Sequence, residues 1–179
     1  MDEITPDALE YANAQSNRLR DLILKPKTLV MPGAYDGLTA RLFEDMGFEA
    51  IQCTSGGIAA GFGYTDGEVV TLEETLHLSK VIAGSVTVPV NGDGERGYGN
   101  KLEISNTVRG YILSGCAGMN IEDSNPRSPG ESTTLAPVDR HLEKIQAIME
   151  VKRELGSAFF INARPDSFLA LRDNPDAAL

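Results

Sequence analysis

Five short segments that read as buried strands alternate along this chain with helix-like stretches, and that alternation restricts the fold more than any other feature. The strand-like segments are LVMPGAYD (29–36), AIQCTSGG (50–57), VPVNGDGE (88–95), GMNIEDS (118–124) and AFFINARPD (158–166). Between them lie LTARLFEDMGF, TLEETLHLSKVIAG, KLEISNTVRGYILSG and VDRHLEKIQAIMEVKREL. The last carries apolar residues at Leu142, Ile145, Ile148 and Met149, near the 3.6-residue period of a helix. A leading helix is expected over about residues 6–24. Strands alternating with helices imply a parallel sheet built from right-handed βαβ units.

Two parallel architectures fit five such units: an open sheet, or a (β/α)₈ barrel of the TIM type truncated after about five βα units. Side-chain parity separates them, because successive strand residues point to opposite faces. In GMNIEDS, Met119 and Ile121 share one face while Asn120 and Glu122 share the other. In AFFINARPD, Phe159, Ile161 and Ala163 oppose Asn162 and Arg164; in AIQCTSGG, Ile51 and Cys53 oppose Gln52 and Thr54. In VPVNGDGE, Val88 and Val90 oppose Asn91, Asp93 and Glu95. An open α/β sheet is covered by helices on both faces and should be apolar on both. One apolar and one polar face, with the polar groups near the C-terminal strand ends, favours the barrel, whose active sites lie there. The expectation is one partial barrel domain over residues 1–179. The chain's end, RDNPDAAL, resembles the start of a further helix, with Asn174 as cap before Pro175.

VPVNGDGERGYGN contains G-D-G-E-R-G, which matches the dinucleotide fingerprint G-x-G-x-x-G. It also places Asp93 and Glu95 inside that fingerprint, where a pyrophosphate would sit, and it follows the third strand rather than the first. Two carboxylates two residues apart repel unless a cation or shared proton intervenes. Hard oxygen ligands of this kind suit Mg²⁺ or Mn²⁺. Gly92, Gly94 and Gly97 are expected to leave room for ion and substrate. A solvated acidic loop and a phosphate-binding open sheet remain the alternatives.

A net charge of −10 argues against nucleic acid and anionic membranes as partners. No apolar run approaches the about 18 residues that span a bilayer. The acidic N-terminus, MDEITPDALE, lacks the apolar core of a secretory signal. Cys53 and Cys116 are in no metal-like spacing and read as buried thiols in a reducing, cytoplasmic setting. Asp66, alone, is also a good turn residue. Arg164 has a purely structural alternative, an ion pair with Glu122. Asp123 is expected either to support the site from behind its ligands or to cap a loop, Tyr98 either to pack over the acidic loop or to cap the next helix, and His77 and His141 to be surface residues.

PGAYDGLTARLFEDMGFEAI, TSGGIAAGFGYTDGE, VPVNGDGERGYGN, GMNIEDS and INARPDSF together, in this order, resemble the isocitrate lyase/phosphoenolpyruvate mutase superfamily. The third resembles its metal motif, D-x-[DE]-x-G-[YF]-G. The resemblance implies Asp93 as the direct Mg²⁺ ligand, with Asp66, Glu95 and Glu122 holding the ion through water. It implies Thr54, Ser55 and Gly56 as donors to the substrate's carboxylate or oxo group, Arg164 as partner of a substrate carboxylate, and Tyr35 and Asp36 at the mouth of the site. Asp66, Glu122 and Arg164 are the implied catalytic residues. The implied chemistry is cleavage or formation of a C–C or C–P bond beside a 2-oxo acid through a metal-stabilised enolate. The substrate would be a small anionic 2-oxo or 2-hydroxy acid.

Two departures qualify the resemblance. The lyases carry a K-[KR]-C-G-H loop after the fourth strand; here the loop is EDSNPRSPGESTTL, without Cys, Lys or His, and Arg127 is the nearest candidate for the mutase lysine. The expected activity is therefore nearest to oxaloacetate decarboxylase, with phosphoenolpyruvate mutase or phosphonopyruvate hydrolase activity as the alternative. Family members also continue for about three more βα units. A homo-oligomer or a completing chain is therefore expected, and a non-catalytic paralogue binding a small acid or a partner subunit is the third possibility.

Overall fold

The computed structural model describes residues 3–126 and 131–173. Helix α1 (Pro6–Ile23) leads into β1 (Gly33–Ala34), α2 (Gly37–Asp45), β2 (Ile51–Cys53), α3 (Ser55–Gly61) and α4 (Leu72–Ser85). Then follow β3 (Val90–Asp93), α5 (Lys101–Leu113), β4 (Gly118–Glu122), α6 (Val138–Leu155), β5 (Phe160–Arg164) and α7 (Ser167–Ala170). The expected helix start at Asn174–Pro175 and the candidate Arg127 lie outside the described residues.

All neighbouring strands are parallel and the sheet order is β1-β2-β3-β4-β5. Each crossover therefore steps the same way, and right-handed connections then place the crossover helices on one face. A doubly wound sheet would reverse direction after its first strands. The helix-facing side chains are the ones that parity selects: Ile51, Cys53, Met119 and Ile121 are all fully buried. They join Ile82, Ile104, Val108, Tyr111 and Ile148 in one core.

The opposite face carries a ladder of amides. Asn91 Nδ2 donates to Gln52 Oε1 (2.8 Å) and to Asn120 Oδ1 (3.0 Å), and Asn162 Nδ2 donates to the same Asn120 oxygen (2.9 Å). One amide from each of β2 to β5 thus ties the strands across the interior, where an apolar residue could not satisfy its neighbours.

Local chemistry sets the element ends. Thr5 accepts from Ala8 N and Pro6 opens α1. Asp36 with Thr39, and Thr71 with Glu74, form capping boxes on α2 and α4. Gly156, at φ 62°, closes α6 in the left-handed conformation. The strand expected over 29–36 shrinks to two residues. Pro32 has no N–H to contribute and only accepts, from Gln52 N at 3.0 Å. The strand expected to reach Gly57 ends at Cys53, because the Thr54 hydroxyl accepts from Gly57 N and starts α3.

Helix α1 closes one end of the sheet. Its Leu19 and Leu22 pack with Ala50 and Ala117, which precede β2 and β4, and with Phe160 at the start of β5. Ser16 Oγ donates to Ala117 O at 2.7 Å, and Asn13 Oδ1 accepts from Ala158 N at 2.7 Å. The N-terminal strand ends are covered by α1, and the acids lie at the opposite, C-terminal ends.

Candidate active site

The site is built on the residues that end the strands. Asp93 closes β3, and its carboxylate is fixed by two backbone N–H groups: Ser55 N to Oδ2 (3.0 Å) and Glu95 N to Oδ1 (3.3 Å). The Ser55 hydroxyl donates to Asp66 Oδ1 at 3.1 Å. Ser55 thus orients two acids. Thr54 is likewise engaged, its N–H donating to Ala34 O (3.1 Å) and its hydroxyl capping Gly57. Gly56 N–H sits in the first turn of α3, where no intrahelical acceptor exists. Tyr35 is 44% exposed at the rim, while Asp36 serves as the cap of α2.

Glu122 ends β4 and is buried. Its Oε1 accepts from Arg164 Nη2, and its Oε2 lies 3.6 Å from Arg96 Nη1 and 3.4 Å from Ser124 Oγ. Arg164 also holds Asp166 Oδ1 through Nε at 3.0 Å. The structural alternative for Arg164 is therefore present in the structure, and about a third of its side chain still reaches the open end. Burial works against the Arg164 charge, but Glu122 and Asp166 outweigh it and hold the group more firmly protonated.

Glu95 follows β3 with φ 42°, so strand parity does not govern its direction. Its Oε2 pairs with Arg96 Nη2 at 3.3 Å and its Oε1 accepts from the Tyr98 hydroxyl at 3.4 Å. The Tyr98 hydroxyl also meets Thr75 Oγ1 at 3.0 Å. Of the two roles open to Tyr98, packing over the acidic loop is the one seen. Burial pushes Glu95 up to about 8, with Arg96 opposing and Glu68, Asp93 and Asp66 adding to the rise. Burial pushes Glu122 up to about 7, against Arg164. Both acids sit where a further positive charge would stabilise their ionised forms.

The glycines of the 92–97 loop do other work than expected. A Cβ on Gly92 would lie 2.4 Å from the Tyr111 ring, and one on Gly94 2.5 Å from the Asn120 carbonyl. Gly97, at φ 99°, lies against Ile104 and Ile121. They make room for the protein's own packing, not for ion or substrate. Helix α5 begins at Lys101, beyond the glycines, so the loop does not aim a helix N-terminus at a pyrophosphate.

Sequence reasoning passed over Glu68, Arg96, Ser124 and Tyr111. Glu68 Oε1 accepts from both Arg96 N (3.0 Å) and Tyr98 N (3.2 Å). Arg96 stood in view, as a cation set between acids within the fingerprint. His77 is exposed as expected, but His141 is half-buried and lines a cleft. That cleft, of about 620 Å³, is bounded by Glu68, Arg96, Glu122, Ser124, His141 and Lys144. It has the size of a small-molecule site. Asp123 Oδ1 accepts from Asp166 N at 2.7 Å, which fits its expected loop-capping role.

The donor set of Asp93, Glu95 and Glu122 at the strand ends and Asp66 in the loop between α3 and α4 is all carboxylate, the chemistry that hard divalent cations take. Among the described residues no three or more His, Cys, Asp or Glu side chains form a direct metal cage.

The chain is similar in sequence and in fold to known proteins. A 2,3-dimethylmalate lyase of Eubacterium barkeri is 30% identical over 154 residues, 84% of this chain and 53% of that protein. An oxaloacetate decarboxylase of Rhodopseudomonas palustris is 32% identical over 135 residues, 73% of this chain and 46% of that protein. Among solved structures, oxaloacetate acetylhydrolase in complex with the inhibitor 3,3-difluorooxalacetate matches with a TM-score of 0.80 at 31% identity, covering 88% of this chain and 55% of that one. The chain spans about half the length of the curated relatives it matches. The parallel sheet is thus that of the barrel enzymes of the isocitrate lyase/phosphoenolpyruvate mutase superfamily. With residues 19–179 matching the family profile described as phosphoenolpyruvate phosphomutase, the chain belongs to that family.

Proposed function

We propose that this chain binds a small anionic 2-oxo or 2-hydroxy acid together with Mg²⁺, or Mn²⁺ in its place, and cleaves the C–C bond beside the oxo group, in the manner of an oxaloacetate decarboxylase. The observation that carries the reading is the carboxylate of Asp93, held by two backbone N–H groups at a strand end with Asp66 beyond Ser55. Asp93 would be the direct metal ligand, and Asp66, Glu95 and Glu122 would act through bound water. When bound, the divalent cation supplies the positive charge that stabilises enolate oxygen as the bond breaks.

The chain's own residues supply the rest. Ser55 fixes the orientation of Asp93 and Asp66. Arg164 offers a planar fork that a substrate carboxylate takes bidentately, in exchange for part of its hold on Glu122. Thr54, Ser55 and Gly56, at the start of α3, would supply donors to the substrate's carboxylate or oxo group, and Tyr35 would border the mouth. Two buried free thiols suit a reducing cytoplasm. Among the described residues β1 and β5 are the outer strands of the sheet, and association with a second copy or a completing chain is part of the reading.

Phosphoenolpyruvate mutase or phosphonopyruvate hydrolase activity is the second reading, favoured by the family profile itself. The test is release of pyruvate or glyoxylate from oxaloacetate, phosphonopyruvate, 2-methylisocitrate and a dialkylmalate, with Mg²⁺ and with EDTA. Metal-dependent turnover of oxaloacetate that Asp93→Ala abolishes supports the first reading, and turnover of phosphonopyruvate alone supports the second. Mg²⁺ binding by a folded sample that turns over none of the panel assigns the chain a non-catalytic role.

A further inference from the structure

Arg96 lies inside the acid cluster, and no step of the proposed chemistry uses it. Its side chain is 5% exposed and faces three carboxylates. Glu95 Oε2 is 3.3 Å from Nη2, Glu122 Oε2 is 3.6 Å from Nη1, and Glu68 Oε2 is 4.0 Å from Nε. Nε is buried with no hydrogen-bond partner among the described residues. The backbone at Arg96 is held on both sides, its N–H by Glu68 Oε1 and its carbonyl by Lys144 Nζ at 2.6 Å. Glu68 and Glu95 flank it in the left-handed region, at φ 59° and 42°. Such backbone is strained for glutamate and is kept where surrounding contacts demand it.

A purely structural buried ion pair should have its donors filled, since an unfilled one costs free energy. Here a guanidinium with an idle Nε spans the acids that would hold a metal through water. It uses one oxygen of Glu95 and one of Glu122, and its positive charge repels a divalent ion in the same dry space.

We infer that Arg96 is a resident counter-cation of the acid cluster, which balances Glu95 and Glu122 before metal arrives and competes with the divalent ion for them, so holding the site's metal affinity down. The inference rests on the metal-site reading proposed above. It makes Arg96 an affinity-setting residue rather than a catalytic one.

The test is Mn²⁺ binding to the full, metal-stripped chain, read by electron paramagnetic resonance of the free ion. Arg96→Gln removes the charge and keeps a neutral amide donor on a shorter side chain, and should bind Mn²⁺ about tenfold tighter or more. Arg96→Lys keeps the charge and should stay within about threefold of wild type. Equal or weaker binding by Arg96→Gln overturns the inference. If Arg96→Gln is unfolded in EDTA, recovery of its circular dichroism on adding Mn²⁺ supports the inference, because the ion then replaces the missing charge. No recovery overturns it. Asp93→Asn separates the two readings: wild-type affinity in that variant removes the metal-site reading itself, whereas loss of binding there with no change in Arg96→Gln removes only the role of Arg96.

Discussion

The Tyr111 hydroxyl donates to the Asp93 backbone carbonyl at 2.5 Å, from a fully buried ring packed over Gly92. Helix α5 thereby positions the residue that ends β3. Tyr111→Phe leaves that carbonyl without its side-chain donor and should cost about 1–2 kcal/mol, with the fold intact. Gly92→Ala drives a methyl into the ring and should cost about 1–3 kcal/mol or more. Urea unfolding checks both, and a Gly92→Ala protein as stable as wild type would refute the packing role given to this glycine.

The acid cluster should make the metal-free protein less stable as pH rises. Glu95 and Glu122 are pushed up by burial to about 8 and about 7, from an ordinary 4.5. Between these limits the folded state holds more protons than the unfolded state, so stability falls with increasing pH. The contribution is fully present below about pH 4.5 and is lost as pH passes through about 7 to 8. Melting temperatures in EDTA should decline across that window, and saturating Mg²⁺ should reduce the decline. A profile that rises from pH 5 to 8 in EDTA would contradict the burial of these acids as charged groups.

The amide ladder should be worth more than its exposure suggests. Asn120 Oδ1 accepts from both Asn91 and Asn162. Asn120→Leu keeps bulk but strands those donors, and should lower stability by about 1–3 kcal/mol. Chemical denaturation measures this; a neutral result would show that water satisfies the ladder equally well.

Arg164 should separate binding from folding. Arg164→Lys keeps a positive charge near Glu122 and Asp166 but loses the planar fork. Under the proposed function, kcat/KM should fall on the order of 10- to 100-fold, chiefly through KM, since charged hydrogen bonds are worth about 1.5–3 kcal/mol each. Steady-state kinetics on the active substrate of the panel decides it. A fall confined to kcat would move Arg164 from substrate binding to the chemical step.

What the sequence determined by itself was what depends on local direction. The two-residue period of a strand fixed which side chains share a face, so Cys53, Met119 and Ile121 were placeable in the helix-facing core, and Asn91, Asn120 and Glu122 buried on the opposite face, with Asn162 beside them but exposed. The order of five motifs then pointed to the family. Only the tertiary structure decided what depends on contacts between distant segments. The loop glycines proved to accommodate Tyr111, the Asn120 carbonyl and Ile104, since a missing Cβ in the sequence does not say what fills its space. Ser55 proved to bind Asp93 and Asp66. Glu95 took its direction from a left-handed backbone that parity cannot anticipate. Arg96 and Glu68, 28 residues apart, became partners only when the loops after α3 and β3 met above the strand ends. Periodicity acts residue by residue along the chain, whereas buried charges are matched across it, and that matching exists only once the chain has folded.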